Sequence, residues 1–269
     1  MRIVPTAEFA SLVYGVDGVP ADDLAEAFHE SSRLYPNVAP GRLAVLLELG
    51  RSPELQQTVS RSSRTHDHRP GIDLPHCPAL RDPFGALLRR RASAAGGALR
   101  RMTLADLATV LGASYLAREW SPGVVRRPVP SAGGLYPLDL YAIALEVDGL
   151  EQRAYHYNPF RHRLERLAEV GRDGVRAALV DPALVEGAAA LLVVTAMFWR
   201  SRFKYGARGY RFALLESGHV VQNAVLAATA LGLPALPLGG FYDRRIDELV
   251  GADGLDEATV YALLLGGSR

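Results

Sequence analysis

The stretch FKYGARGYRFALLESGHVVQNAVLAATALG, residues 203–232, decides the fold. From Gly209 onward it is apolar nearly all round at helical spacing, over about 22 residues, the pattern of a helix enclosed in a core or a subunit interface. Just before it, AAALLVVTAMFW (188–199) is an unbroken apolar run of the kind a buried strand shows. Lys204 and Tyr205 stand at the junction, with Arg202, Arg208 and Arg211 close by in sequence. Lysine and tyrosine ordinarily titrate near 10, so either could act as a base at neutral pH only with burial or a neighbouring cation. Taken alone, a solvated lysine and a packed tyrosine explain the pair equally well.

Outward from this point the chain alternates strands and helices. LDLYAIALEV (138–147) alternates like a strand, and RAYHYNPFRHRLERL (153–167) reads as a hairpin around an Asn-Pro turn. PFGALLRRRAS (83–93) suggests a short helix, and TLADLATVLGASYLA (103–117) a longer one with Thr103 as N-cap. LPALPLGGF (233–241), a short helix in DRRIDELVG (243–251) and a last strand in ATVYALLLG (258–266) complete an α+β outline without internal repeats. Residues 1–58 show mostly helical spacing, and SRSSRTHDHRPGIDLPHCPALRDP (60–83) is polar, proline-studded and aperiodic, a loop or linker. Two regions are therefore expected, a mostly helical one with its linker over 1–80 and a larger domain over 81–269.

Composition narrows the function classes. The 269 residues are 49% hydrophobic and 22% charged, with net charge +1, which gives no reason to expect a nucleic-acid partner. The one cysteine, Cys77, excludes an intramolecular disulfide and suits a reducing compartment. The longest apolar run falls short of the ~20 residues that span a bilayer, so a cytoplasmic protein without a membrane partner is expected. No G-x-G-x-x-G, phosphate loop or G-x-S-x-G elbow is present. His66, His68, His76 and Cys77 crowd together in HDHRPGIDLPHC, but at no structural-zinc spacing, and no metal is expected.

Three segments are candidates for binding. Arg89, Arg90, Arg91 and Ser93 form either a solvated cationic face or an anion site, since guanidinium forks and a hydroxyl suit a phosphate. PSAGGLYP (130–137) brackets small residues with prolines, so the backbone is held yet approachable by a flat ligand, with Ser131, Leu135 and Tyr136 exposed around it. LGGFYD (238–243) supplies a second Gly-Gly pair, for which a plain strand-to-helix turn is the simpler reading.

Together FHESSRLYP, LLRRRAS, PSAGGLYPLDLYAI, AYHYNPFRHRLERL, FKYGARGYRFALLESGHVVQN and LGLPALPLGGFYD resemble the flavin-dependent nitroreductase superfamily, in its SagB-type dehydrogenase or azoline oxidase branch. The likeness runs from residue 28 to the end. It implies a mixed or antiparallel sheet flanked by helices, with the long central helix at the interface of a homodimer that binds FMN. Arg91 and Ser93 would then hold the FMN phosphate. Ser131 and the backbone of Gly133, Gly134 and Leu135 would face the flavin ring from the other protomer, with Gly239 and Gly240 on its second side. Lys204 and Tyr205 match the branch's catalytic pair, one of them as base. The sequence departs from the pattern at Ala95 and Gly97, where a cation and an aromatic are usual, so further contacts fall to Arg100, Arg101 or Arg127. The implied reaction is oxidation of thiazoline or oxazoline rings, in a peptide or carrier-bound precursor, to thiazole or oxazole, with a cyclodehydratase as a further partner. Two alternatives stay open: an FMN-dependent reductase or oxidase of another small substrate, and a non-catalytic scaffold of a peptide-modifying complex.

Overall fold

The structure, a computed structural model, describes residues 24–33, 51–94 and 101–266. In chain order its first elements are α1 (Leu24–Ser31), α2 (Pro53–Ser60), β1 (Gly71–Asp73), α3 (Phe84–Arg90), β2 (Met102–Thr103) and α4 (Leu104–Tyr115). A hairpin follows, β3 (Arg118–Ser121) and β4 (Val124–Arg126), then β5 (Leu138–Ala144), β6 (Val147–Asp148), β7 (Arg153–Asn158), β8 (Arg163–Glu169) and α5 (Arg172–Ala178). The chain ends with β9 (Ala190–Met197), α6 (Trp199–Tyr205), α7 (Ala207–Ala230), β10 (Ala235–Leu238), α8 (Asp243–Val250) and β11 (Glu257–Leu265).

Seven strands form one sheet in the order β1-β8-β7-β5-β9-β11-β10, and every neighbouring pair is antiparallel. A two-residue parallel pair, β2 with β6, lies outside it. The alternation in LDLYAIA is real, but both faces are covered, so every residue of β5 is buried. Leu138, Leu140 and Ala142 join Leu192, Val194 and Leu263 in a core with Leu107 and Leu111 of α4 and Val220 and Ala224 of α7. Tyr141 and Ile143 face the other way, with Leu191, Val193 and Leu264, against Val175 of α5 and Ile246 of α8. Each large apolar side chain so buried contributes about 1.5–3 kcal/mol.

Local chemistry sets the helix ends. At the start of α4 the Thr103 hydroxyl accepts from the Asp106 N–H at 3.2 Å, and the Asp106 carboxylate accepts from the Thr103 N–H at 2.9 Å, a reciprocal cap. The long apolar pattern is α7, 24 residues, separated from α6 by Gly206 at φ 58°, ψ −140°, a conformation that suits only glycine. Among the described residues no helix is long and apolar enough to cross a membrane. The helix pattern in GRLAVLLELG (41–50) and residues 1–23 lie outside the described residues.

The segment read as a loop or linker is tied into the sheet. β1 pairs with β8, and the residues before it reach three buried carboxylates. Asp139 accepts from the Ser63 hydroxyl at 3.0 Å, the Arg64 N–H at 3.2 Å and the Arg200 guanidinium at 2.7 Å. Glu165 accepts from the His66 N–H at 2.7 Å, the Asn158 amide at 2.8 Å and His156 Nδ1 at 2.9 Å. Glu257 accepts from the Tyr141 and Thr195 hydroxyls, each at 2.7 Å, and pairs with Arg64. Aperiodic sequence here reflects polar anchoring, not looseness.

Candidate active site

α6 is a short helix with its last two residues, Lys204 and Tyr205, at its C-terminal end. The junction between the apolar strand and the long helix is therefore itself helical. α6 folds back on α7 at the closest approach glycine permits: a Cβ on Gly209 would lie 2.8–2.9 Å from the Ser201 and Arg202 backbone. Phe198 stacks on Tyr210 with centroids 4.4 Å apart, and the Ser201 hydroxyl donates to the Gly209 carbonyl at 3.1 Å, which fixes the crossing. The Tyr205 ring meets Phe212 edge-on at 5.0 Å, and Lys204 Nζ lies 5.2 Å from the Tyr205 ring. Arg208 and Arg211, expected beside the pair, instead donate to the Ser32 and His29 carbonyls and so hold α1.

The ends of both side chains converge on Gly133. A Cβ there would be 2.6 Å from the Tyr205 hydroxyl and 2.7 Å from Lys204 Nζ. Gly133 and Gly134 have φ of 65° and 67°, and Tyr136 follows at φ 45°, so the PSAGGLYP turn is a built shape that the sequence pays for with two glycines. It is pinned from inside. The Tyr136 N–H donates to Ser131 Oγ at 2.9 Å, and the Tyr136 hydroxyl accepts from the Arg127 N–H at 3.2 Å. Leu135 and Tyr136, expected to be exposed, are buried and act as the anchors of the turn.

This turn borders a cavity of about 720 Å³ lined by Ser131, Gly133, Gly134, Leu135, Tyr136, Lys204, Arg126 and Arg127, with Trp120 of the β3–β4 hairpin and Val59 of α2. Arg127 is the unusual member. It is 6% exposed, and its guanidinium lies 4.1 Å from the Tyr115 ring centroid and 4.8 Å from that of Tyr136. Nη2 donates to the Ser62 carbonyl at 3.4 Å, while Nε and Nη1 are buried with no hydrogen-bond partner. A buried cation with two unused donors beside a cavity fits a ligand that brings acceptors.

Behind Ser131 lies Glu216 of α7, 3% exposed. Burial pushes its carboxyl up to about 7, although the Ser131 and Tyr115 hydroxyls and the Arg127 charge all favour the ionised form. The Tyr115 hydroxyl donates to it at 2.9 Å, and burial raises the Tyr115 phenol well above its ordinary range. The motifs gave no notice of Glu216, Tyr115, Arg126 or Trp120. For Glu216 a signal existed: one acid inside FALLESGHVV, an otherwise apolar helix face.

The remaining expected residues lie elsewhere. Arg91 Nη1 donates to Ser93 Oγ at 3.4 Å, just past α3, where the Ala94 N–H donates to the Ala235 carbonyl at the start of β10. Arg90 reaches the Thr229 carbonyl, 13 residues along α7 from Glu216, a distance of about 20 Å on a helix. Gly239 and Gly240 follow β10 and are exposed, and a Cβ on Gly239 would meet nothing within 4 Å. None of these four lines the cavity. Arg101 lies 3.9 Å from Glu146 and 3.7 Å from Asp148, away from it, and Ala95, Gly97 and Arg100 lie outside the described residues. Among the described residues no group of histidine, cysteine and acidic side chains could hold a metal.

Comparison with known proteins agrees with this architecture. The nitroreductase family profile matches residues 99–267, more than half of the chain. MJ1384 of Methanocaldococcus jannaschii, assigned as a nitroreductase, is 38% identical over 151 residues, 55% of this chain and 74% of that protein. The microcin B17-processing protein McbC of Escherichia coli is 35% identical over 150 residues, 54% of each chain. The trifolitoxin-processing protein TfxB of Rhizobium leguminosarum is 33% identical over 148 residues, 52% of this chain and 39% of that one. The chain thus matches about half or less of the length of the two processing proteins. Among solved structures, a nitroreductase-like protein of Anabaena variabilis superposes with TM-score 0.66 at 26% identity, covering 90% of this chain and 45% of that one. The Escherichia coli microcin synthetase McbBCD complex superposes with TM-score 0.57 at 22% identity, over 86% of this chain and 95% of that one, a likeness of fold. With the antiparallel sheet, the long central helix and these matches in place, the chain belongs to the nitroreductase family, on the side of its SagB-type branch.

Proposed function

We propose that this protein is an FMN-dependent dehydrogenase that oxidises azoline rings in a peptide-derived precursor to azoles. The observation that carries the cofactor half is the cavity: a flat glycine turn beside a buried guanidinium with two unused donors fits a planar, acceptor-rich group such as a flavin. Bound FMN would supply the two-electron acceptor that no side chain of the chain provides. Ser131 and the Gly133, Gly134 and Leu135 backbone would lie against its ring, and Arg127 would meet its polar edge. Lys204 or Tyr205, both aimed at Gly133, would take the proton from the carbon next to the ring nitrogen. Arg91 and Ser93 suit the phosphate, and Gly239 and Gly240 leave room for a ligand's second face. These groups lie far from the cavity along α7, so a complete site needs two chains, and a homodimer would bring them together.

The substrate half rests on the likeness to McbC and TfxB, whose names record peptide-toxin processing. A peptide bearing azolines, delivered by a cyclodehydratase partner, is the corresponding reading for this chain in the cytoplasm. The visible spectrum of the purified protein, with the released cofactor identified, is the deciding test: stoichiometric FMN is expected, and a colourless protein that takes up no added FMN would remove the proposal. Similarity to MJ1384 supports a second reading, reduction of a small substrate at the expense of a nicotinamide. Rapid bleaching of bound FMN by NADH or NADPH would favour it.

A further inference from the structure

The helix α6 carries two aromatic side chains that the fold leaves about half exposed, Trp199 and Phe203. They stand four residues apart, one helical turn, and Phe203 directly precedes Lys204. With Thr58 and Val59 of α2 they border a smaller cavity of about 290 Å³. Val59 and Leu135 line this cavity and the larger one alike, so the two adjoin through shared walls. Most polar groups around it already have partners. The Thr58 hydroxyl donates to the Glu54 carbonyl at 2.9 Å, and the Ser62 carbonyl accepts from Arg127 at 3.4 Å. Arg200 is different. Its Nη1 donates to Asp139 at 2.7 Å, but its Nε is buried without a hydrogen-bond partner. An occupant that brings one acceptor would complete it.

We propose that this smaller cavity is the side-chain subsite of the substrate, taking a large apolar residue of the peptide next to the ring that is oxidised, with a backbone carbonyl of that residue offered to Arg200. The subsite rests on the azoline-peptide reading and adds to it which residue the peptide carries. Three features select this occupant. Aromatic and aliphatic walls favour an apolar group through burial. An apolar side chain with one acceptor close by is what a peptide residue supplies and a plain hydrocarbon does not. Position supplies the third: Trp199 and Phe203 share a seven-residue helix with Lys204, whose amine points at Gly133. A side chain held by the aromatic pair therefore sets the neighbouring ring at a fixed offset from that amine, and binding energy away from the ring serves to orient it.

The test uses the full-length protein with its FMN and synthetic thiazoline peptides that differ in one residue beside the ring, leucine or alanine. The varied residue lies on the amino side of the ring in one pair and on the carboxyl side in the other. In the wild type, leucine should be preferred in one of the pairs by roughly tenfold or more in kcat/KM. The matching thiazole peptides, which cannot be oxidised further, should bind in the same order by calorimetry, a reading free of turnover. Trp199→Ala and Phe203→Ala each remove a wall, so the leucine preference should fall toward parity in both measurements. Thr58→Phe fills the cavity from α2, away from the helix that carries Lys204, and should turn the preference toward alanine. No leucine preference in the wild type, or one untouched by all three substitutions, overturns the inference, while oxidation of the peptides leaves the proposed activity standing. A loss of stability in urea with the preference intact means that the chain itself or a second copy covers the cavity, and overturns it too. If FMN is bound and no thiazoline peptide is oxidised, the azoline reading falls and the subsite with it.

Discussion

Two buried polar clusters flank the same sheet and behave in opposite ways. Asp139, Tyr141, His156, Glu165 and Thr195 point toward the α5–α8 face, and their acids are matched with guanidinium, amide and backbone donors. Glu216, Tyr115 and Arg127 lie on the α4–α7 face, joined by hydroxyls and aromatic rings and bordered by the cavity. Charge partners hold the Asp139 carboxyl far below the usual range and Glu165 at about 2, whereas burial lifts Glu216 to about 7. The difference is one of partners more than of depth, since all three are nearly inaccessible. Hydroxyls serve both clusters, but Asp139 and Glu257 also have a guanidinium beside them, which makes a clamp, whereas Glu216 has no ion pair with any described cation.

Breaking the clamp should have the largest effect. Arg200→Met leaves the Asp139 carboxylate buried without its cation, a loss of roughly 3–5 kcal/mol, to be read from urea denaturation. A cost below about 1 kcal/mol would mean the network is no anchor.

The next experiment tests the contrast in pH. The folded Glu216 carboxyl sits above its unfolded value, so its contribution is complete below about pH 4.5 and is lost as pH rises through about 7. Glutamine cannot ionise, so Glu216→Gln should gain on the wild type between pH 5 and 8, by at most about 3 kcal/mol. For Glu165 the sign reverses: its contribution is present above about pH 4.5 and lost as pH falls through about 2. Parallel pH curves for Glu216→Gln and Glu165→Gln would erase the distinction drawn between the two faces.

Two glycine substitutions sharpen it further. Gly209→Ala would normally steady a helix, yet here the new methyl meets backbone at 2.8 Å. It should cost about 1–3 kcal/mol and disturb both clusters, because α6 carries Arg200 into one and Lys204 into the other. Gly133→Ala meets only the mobile ends of Lys204 and Tyr205, so besides about 1 kcal/mol for its positive φ the fold should tolerate it. The proposed azoline oxidation should nonetheless fall roughly a hundredfold with the proposed FMN content unchanged, because a displacement of about 1 Å is enough. Full activity in Gly133→Ala would show that the Lys204–Tyr205 placement is idle.

Much of the fold could be read from periodicity because periodicity records burial. The helices α4 and α7, the β7–β8 hairpin and the strands β9 and β11 stand where apolar spacing put them. β1 escaped because three residues leave no pattern, and the anchors of residues 63–66 lie about 75 to 190 positions away in sequence. PSAGGLYP stood out because prolines bracket its two glycines, whereas Lys204–Tyr205 was singled out only by the resemblance to the SagB-type branch. Glu216 left only the trace of one acid in an apolar stretch, since its partner Tyr115 lies 101 positions away. The burial of Leu135 and Tyr136 was also missed: a turn that must be stiff buries the side chains a solvent loop would show.

The seven residues of α6 have one more consequence. Arg200 and Lys204 are four apart, one helical turn, on a piece of chain too short to bend. Losing the Asp139 charge by Asp139→Asn would therefore loosen the grip on one end of this lever and swing the amine at the other. A variant that has lost turnover but kept its circular dichroism would be the trace of that motion.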